Sequence, residues 1–379
     1  MGNTTKEIKR KHRRRGFFIF EIIILLILIG ALLVYAKING ALNRVTSQGL
    51  DTTQVGVNEG LDHETLKGYT NIALVGLDTR DDGSEESGLM NSDTMIMVSI
   101  NHDDKEVKMV SLYRDTYLNI GNDKYTRANQ AYSIGGPEQF LTMLNRNLDM
   151  NIMDYVTVDF GAVVNAVDIL GGIDDVPLTR DEIIHLNNYC KGTSEVTGGS
   201  YEPLPEEEGV YNLNGVQAVS YARIRYGDGL DFRRAARQRL VIDKMVDKAK
   251  KAGPLKLNKL LDEIVQPENI KSSLTSAEMM KMGVSMISYD FAEGGQVGFP
   301  FHHLFGENIK NAVGEDVVLP VTLEVNVVEL QDFLYPGMAY SPSKTVVEYS
   351  NYIIDKSGYG VDSIPAESED GTIPPLEGE

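Results

Sequence analysis

The sequence predicts an α/β fold on three observations. Residues 71–112 hold three short runs rich in Val, Ile and Met: NIALVGL (71–77), TMIMVSI (94–100) and EVKMVSL (106–112). Each is bounded by polar turn residues, the pattern of sheet strands. Later segments such as GAVVNAVDIL (161–170) and DFRRAARQRLVIDKMVDKAKKAG (231–253) instead have helical composition and run into glycine.

In chain order, the first fifteen residues carry seven Lys or Arg and one acid, Glu7. Residues 16–36 (GFFIFEIIILLILIGALLVYA) form an apolar run with Glu21 as the one charge. A run of roughly 20 residues at about 1.5 Å rise spans a bilayer core. It is longer than the roughly 7–15 apolar residues of a cleaved signal peptide, and no small-x-small site follows it cleanly. A transmembrane helix is therefore expected, with residues 1–15 as a cytoplasmic tail and everything after Lys37 outside a single-pass cell membrane protein. Residues 37–69 are polar and read as a stalk.

The three strands follow. Consecutive antiparallel pairing, with NHDD (101–104) as the far turn, brings Asp78, Asp93 and Arg114 to one end of the sheet. Loop 79–92 is acidic and rich in Gly and Ser. Segment 128–147 reads as a helix interrupted at Gly135, Gly136 and Pro137. Strand 153–160 and helix 161–170 follow, the latter stopped by Gly171 and Gly172. Residues 181–212 read as an acidic, Gly-rich insertion. A short helix at 213–219 leads into YARIRY, and helix 231–253 takes Asp231 as its N-cap. Helical patterns continue at 255–265 and 275–288, before FPFHHLFG (299–306), a strand-like VVLPVTLEV (317–325) and a helix near 326–335. The expected division is an extracytoplasmic domain over 70–290, a C-terminal extension over 291–360 and a disordered acidic tail over 361–379.

The formal charge is −19. Taking away the +6 of the tail and the −1 of Glu21 leaves −24 for residues 37–379. So acidic a surface repels a phosphate backbone, which excludes nucleic acid as the partner. Cys190 is the one cysteine, so no intrachain disulfide forms. An exported chain without disulfides suits a bacterial surface. There is no HExxH, Cys–His cluster, G-x-S-x-G or Walker loop.

Two carboxylates and a guanidinium at one sheet end suit a divalent metal with a phosphate, since Mg²⁺ binds one or two carboxylates plus phosphate oxygens. Asp is also an ordinary residue at strand ends, and pattern alone leaves both readings open for Asp78 and Asp93. Arg223 and Arg225 alternate with apolar residues. On an extended segment they leave one face as a paired clamp, although a solvated strand face alternates in the same way. On the following helix Arg234, Arg237 and Gln238 share a face. That face has no matching acid until Asp243, so these arginines suit an external anion, a diphosphate above all.

Taken together these segments resemble the LytR–CpsA–Psr family of membrane-anchored envelope enzymes. The resemblance spans about residues 70–250 and rests on GLDTR (76–80), SDTMIMVSI (92–100), SLYRDTYL (111–118), ANQAYSIGG (128–136), VTVDF (156–160), LGGID (170–174), LNGVQAVSYARIR (213–225) and DFRRAARQR (231–239). It implies a three-layer α/β/α sandwich around a mixed, largely antiparallel sheet, with an apolar tunnel for a polyprenyl chain. It implies a phosphotransferase that moves a glycopolymer, teichoic acid or capsular polysaccharide, from undecaprenyl diphosphate to a muramic acid hydroxyl of peptidoglycan. Asp78 and Asp93 would hold Mg²⁺, with Mn²⁺ as its substitute. Arg114, Arg223, Arg225, Arg237 and Gln238 would bind the diphosphate, supported by Arg80, Asp159, Arg127 and Arg234. Arg114, Asp93 and Asp115 would be catalytic, the two carboxylates being the candidate bases. Two departures are Tyr113, where the family usually has proline, and Arg127, where it usually has lysine. The rival readings are a non-catalytic polyprenyl-phosphate-binding regulator and a ligase that attaches glycan to surface protein.

Overall fold

The structure is a computed structural model, and it describes residues 50–61, 67–77, 92–225, 230–264, 270–286 and 288–365. The tail 1–15, the apolar run 16–36, Asp78, Arg80, most of loop 79–92 and residues 366–379 lie outside the described residues. Among the described residues no helix is long and apolar enough to cross a membrane.

The strands used below are β1 (Tyr69–Leu77), β2 (Ser92–Asn101), β3 (Glu106–Leu112), β4 (Tyr117–Asn119), β5 (Tyr125–Arg127), β6 (Asp154–Val158), β7 (Ile173–Leu178), β8 (Gly209–Leu213), β9 (Ile270–Ser272) and β10 (Asp290–Phe299). The helices used below are α1 (Gln130–Leu148), α2 (Phe160–Leu170), α3 (Arg180–Thr197), α4 (Gly215–Ala222), α5 (Leu230–Lys251), α6 (Pro254–Ile264), α7 (Ser276–Met286), α8 (Glu307–Val313), α9 (Leu323–Leu334) and α10 (Lys344–Ser357).

The first three strands form the expected antiparallel meander, with Ile72 opposite Val98 and Ile96 opposite Ser111. Strand β6 joins β1 in parallel, and β9 closes that edge antiparallel. Strand β10 lies parallel to β3 at the other edge, so the order is β10-β3-β2-β1-β6-β9. The sheet is mixed and mainly antiparallel.

Alternation along the strands divides the apolar side chains between two faces. Ala73, Val75, Met95, Met97, Val110 and Leu112 face Phe140 and Leu141 of α1, Val327 and Leu330 of α9, and Val346 and Ile353 of α10. Ile72, Ile96, Val98, Ile100, Val107 and Met109 face the other way, toward Ile242 of α5 and Met282 of α7. Helices therefore cover both faces. A further core lies under α2, α3 and α4, built on Val167, Ile183, Leu186, Val219 and Tyr221.

Four expectations need correction. The boundary at residue 290 does not exist: β10 begins there as a sheet strand, and Phe299, Leu323, Val346 and Ile353 share one core with β1 to β3. The stalk is not free-standing over its described part. Gly56 N donates to Thr142 Oγ1 at 2.9 Å and Asn58 Nδ2 to Asp149 Oδ1 at 2.6 Å, seating this segment on α1, and β1 begins at Tyr69. Residues 181–212, expected as an acidic, Gly-rich insertion, are instead mostly regular structure, with α3 over Arg180–Thr197 and β8 from Gly209. Thr179 and Glu182 form a capping box, Thr179 accepting from Glu182 N and Glu182 from Thr179 N, and start the 18-residue helix α3. The strand expected at 317–325 shrinks to Leu319–Pro320, because Thr322 caps α9 through a bond from Val325 N. The interruption in α1 is real: Gly135 and Gly136 leave helical geometry, and Pro137 follows.

Candidate anion-binding active site

Asp93 is the hub of the site. It stands at the start of β2, beside the end of β1, because the meander returns every second strand end to the same edge. Its Oδ1 accepts from Arg114 Nη1 at 2.9 Å and its Oδ2 from Arg225 Nη2 at 2.5 Å. Arg234 Nη2 reaches the Asp93 carbonyl at 3.3 Å. The convergence of Asp93 and Arg114 read from the strand pattern is therefore present. Arg114 comes from just beyond β3, Arg225 from just beyond α4, and Arg234 from the first turns of α5.

A cavity of about 80 Å³ opens beside Asp93, walled by Thr94, Arg223, Arg225, Arg234 and Gln238. Phe160, Tyr189 and Ala222 complete the wall. Three guanidiniums face one carboxylate there, so the wall is cationic within a strongly acidic chain. The volume is small against the roughly 300–1,000 Å³ of drug-sized ligand pockets. It suits a phosphate-sized group.

Arg223 and Arg225 meet at this cavity, but not as an extended clamp. Arg223 is the C-cap of α4 with φ −98° and ψ −9°, a helical conformation, because the capping box of Asn214 and Gln217 drives α4 through the YAR of YARIR. Arg223 Nη1 donates to Thr193 Oγ1 at 2.7 Å, and its guanidinium lies 4.7 Å from the Phe160 ring centroid and 5.5 Å from that of Tyr189. Arg225 turns to Asp93.

The sequence model of the LytR_cpsA_psr family matches residues 34–301. The chain belongs to this family. It is 32% identical over 219 residues to TagU of Enterococcus faecalis, described as a polyisoprenyl-teichoic acid–peptidoglycan teichoic acid transferase, covering 56% of this chain and 64% of that protein. TagV of Bacillus subtilis carries the same description and is 28% identical across 71% of this chain and 66% of its own length. The chain thus spans just under two thirds of these two relatives. A solved structure of the LytR-CPS2A-psr family protein YwtF (TagT), with bound octaprenyl pyrophosphate lipid, aligns at TM-score 0.52 and 20% identity, covering 76% of this chain and 98% of that one. That likeness is one of fold.

Several residues expected from the family resemblance fall elsewhere. Arg237, expected on the diphosphate, is only 2% exposed, and its guanidinium is bound to Glu182 of α3, Nη2 to Oε1 at 2.9 Å. Its Nη1 also donates to the carbonyl of Ile224 at 3.2 Å, between the two site arginines. Its acid lies on another helix, out of reach of a reading by local spacing. Asp159 does not orient an arginine: its carboxylate caps α2, accepting from Ala162 N at 2.8 Å. Asp115 does, accepting from Arg114 Nε at 3.2 Å, with Arg127 Nη1 3.8 Å from its other oxygen. Arg234 and Gln238, i and i+4 on α5, reach the cavity. Thr94, Phe160, Tyr189 and Thr193 were not singled out from sequence. The capping box of α3 is the signal that leads to the last two.

Tyr113, at the family's proline position, is 2% exposed and packs edge-on against Phe232 with ring centroids 4.5 Å apart. A Cβ at Gly298 of β10 would overlap its hydroxyl. A glycine on the neighbouring strand thus makes room for the tyrosine beside Arg114.

Among the described residues no three His, Cys, Asp or Glu side chains gather as a metal site. Asp93 keeps the donor chemistry Mg²⁺ needs: of about four lone-pair positions on a carboxylate, the two guanidiniums take two.

Proposed function

We propose that this chain is a phosphotransferase of the bacterial envelope. It moves a teichoic acid or capsular polysaccharide from undecaprenyl diphosphate to a muramic acid hydroxyl of peptidoglycan. The observation that carries this reading is the ring of Arg223, Arg225 and Arg234 around Asp93 in a phosphate-sized cavity. The descriptions of TagU and TagV and the lipid bound to YwtF agree with it.

In the reaction the acceptor oxygen attacks the phosphorus that carries the glycan. A new P–O bond forms, the bond to the bridging oxygen breaks, and undecaprenyl phosphate leaves. The hydroxyl proton passes to a base. The barrier is electrostatic, since a diphosphate repels its nucleophile. Guanidiniums preset around the phosphate neutralise the charge as it moves to the bridging oxygen, and they hold the group in line. Asp115 is turned to Arg114 and Arg127, which leaves Asp93 as the carboxylate of this pair at the cavity wall. Asp93, together with Asp78, would hold Mg²⁺, which supplies further neutralisation when bound. Thr94 lines the cavity, and the same sheet face continues as the packed apolar residues Ile96 and Val98 under α5, the direction a prenyl chain would take on opening that packing. The basic tail and apolar run 16–36 anchor the chain with this site outside the membrane.

The test compares ligand affinity and single-turnover transfer in one Arg225→Lys preparation. Lysine keeps the charge and loses the two-pronged geometry. Transfer should fall about 10²–10³-fold, and lipid-diphosphate affinity far less. Equal loss of both would mark a binding protein, the regulator reading. Glycan found on protein after peptidoglycan digestion would instead favour the protein ligase.

A further inference from the structure

We propose that Thr193, on a helix that supplies no charge to the cavity, is a positioning residue for the transfer: its hydroxyl fixes the orientation of the Arg223 guanidinium. The proposal rests on the phosphotransferase reading and adds a residue to it.

Thr193 is fully buried, one turn beyond Tyr189 on α3. Its Oγ1 accepts from Arg223 Nη1 at 2.7 Å and from Ser220 Oγ at 2.9 Å, and donates to the Tyr189 carbonyl at 3.1 Å. A hydroxyl has one proton and two lone pairs, so this set exhausts it. The bond to the Tyr189 carbonyl directs the proton away, which leaves both lone pairs for the two donors. The hydroxyl has no rotational freedom left, and the arginine it holds inherits a fixed direction. The rings of Phe160 and Tyr189 restrict the same guanidinium from α2 and α3.

The kind of anchor matters. Arg114 and Arg225 are held by the Asp93 carboxylate and Arg237 by Glu182, contacts that neutralise charge. A hydroxyl orients a guanidinium without cancelling its charge. Arg223 therefore presents to the cavity a charge that the Thr193 contact leaves undiminished. A misplacement of about 1 Å can cost on the order of 10² in rate, so an uncharged anchor of this kind has catalytic consequence.

The test uses the full-length protein in detergent, with inorganic pyrophosphate as the binding probe and single-turnover transfer as the rate. Thr193→Val keeps the volume and removes the hydroxyl, whereas Thr193→Ser keeps the hydroxyl and removes a buried methyl. Positioning predicts that the Val variant loses about 10- to 100-fold in the single-turnover rate while its pyrophosphate affinity moves less than about threefold. The Ser variant should stay within about threefold of wild type. A packing role predicts the reverse order, because only serine leaves a cavity. Wild-type rates in Thr193→Val, or equal losses in both variants, would overturn the proposal. If Thr193→Val does not fold, Thr193→Ala takes its place, since Ala and Ser differ by the hydroxyl alone. A wild-type protein that neither binds pyrophosphate nor transfers would overturn the phosphotransferase reading and this proposal together.

Discussion

Asp93 binds two guanidiniums at once, which makes it an internal competitor of any anion that seeks them. Its side chain is 20% exposed, so the pairs are neither dry nor freely solvated, and each is worth little more than about 1 kcal/mol. In the presence of chelator, Asp93→Asn should therefore bind pyrophosphate about three- to tenfold more tightly than wild type, by calorimetry, while losing transfer. Weaker binding would mean that Asp93 organises the arginines instead of competing for them. Arg237 behaves differently. Its removal strands a mostly buried Glu182, so Arg237→Ala should destabilise the protein by about 3 kcal/mol in denaturant titration. Asp93, Arg114, Arg223, Arg225, Arg234 and Gln238 were legible because short motifs at strand and helix ends carry them. The role of Arg237 was not, since its partner lies 55 residues away in sequence.

Helix α3 shows why an element can hide. Its buried residues Ile183, Leu186, Cys190 and Thr193 follow helical spacing, but two of the four are not aliphatic. The apolar stripe therefore fades halfway along, and the glycines after Thr197 suggest a loop. The capping box at Thr179 was the readable sign. Thr179→Ala should cost about 1 kcal/mol of stability in thermal or denaturant unfolding. The same helix shelters the one thiol. Burial pushes the Cys190 thiol above its ordinary pKa, so it is both less ionised and out of reach. A thiol reagent at neutral pH should label Cys190 only on denaturation. Rapid labelling of the native protein would show that α3 opens.

At the scale of the whole molecule, strands β1 to β3 were legible because both faces are apolar and the turns are polar. Strands β9 and β10 were not. The first is three residues long, and the second carries Gly294 and Gly295 where its register against β3 shifts. A period of two cannot show through such a break. For the same reason the C-terminal region read as an appendage, although Leu319, Leu323, Val327, Leu330 and Ile353 fill one wall of the main core. A chain stopped after residue 301, where the family match ends, should therefore be insoluble or lack a cooperative unfolding transition. A chain stopped after residue 365 should unfold cooperatively in calorimetry.

Strand β10 has a consequence for the order in which the molecule is made. Its partner β3 is complete by Leu112, but the residues that pair with its outer edge begin only at Asp290. During synthesis β3 waits with an open row of amides and carbonyls while some 180 further residues emerge, a template for any passing strand. Burial of the sheet face behind it also waits, for α9 and α10. Newborn chains are thus committed late, and the interval before the last hundred residues arrive is the period of greatest exposure to misassembly. Chains stalled near residue 280 should be cut rapidly by protease throughout, whereas chains released at full length should yield a resistant body that holds β1 to β10.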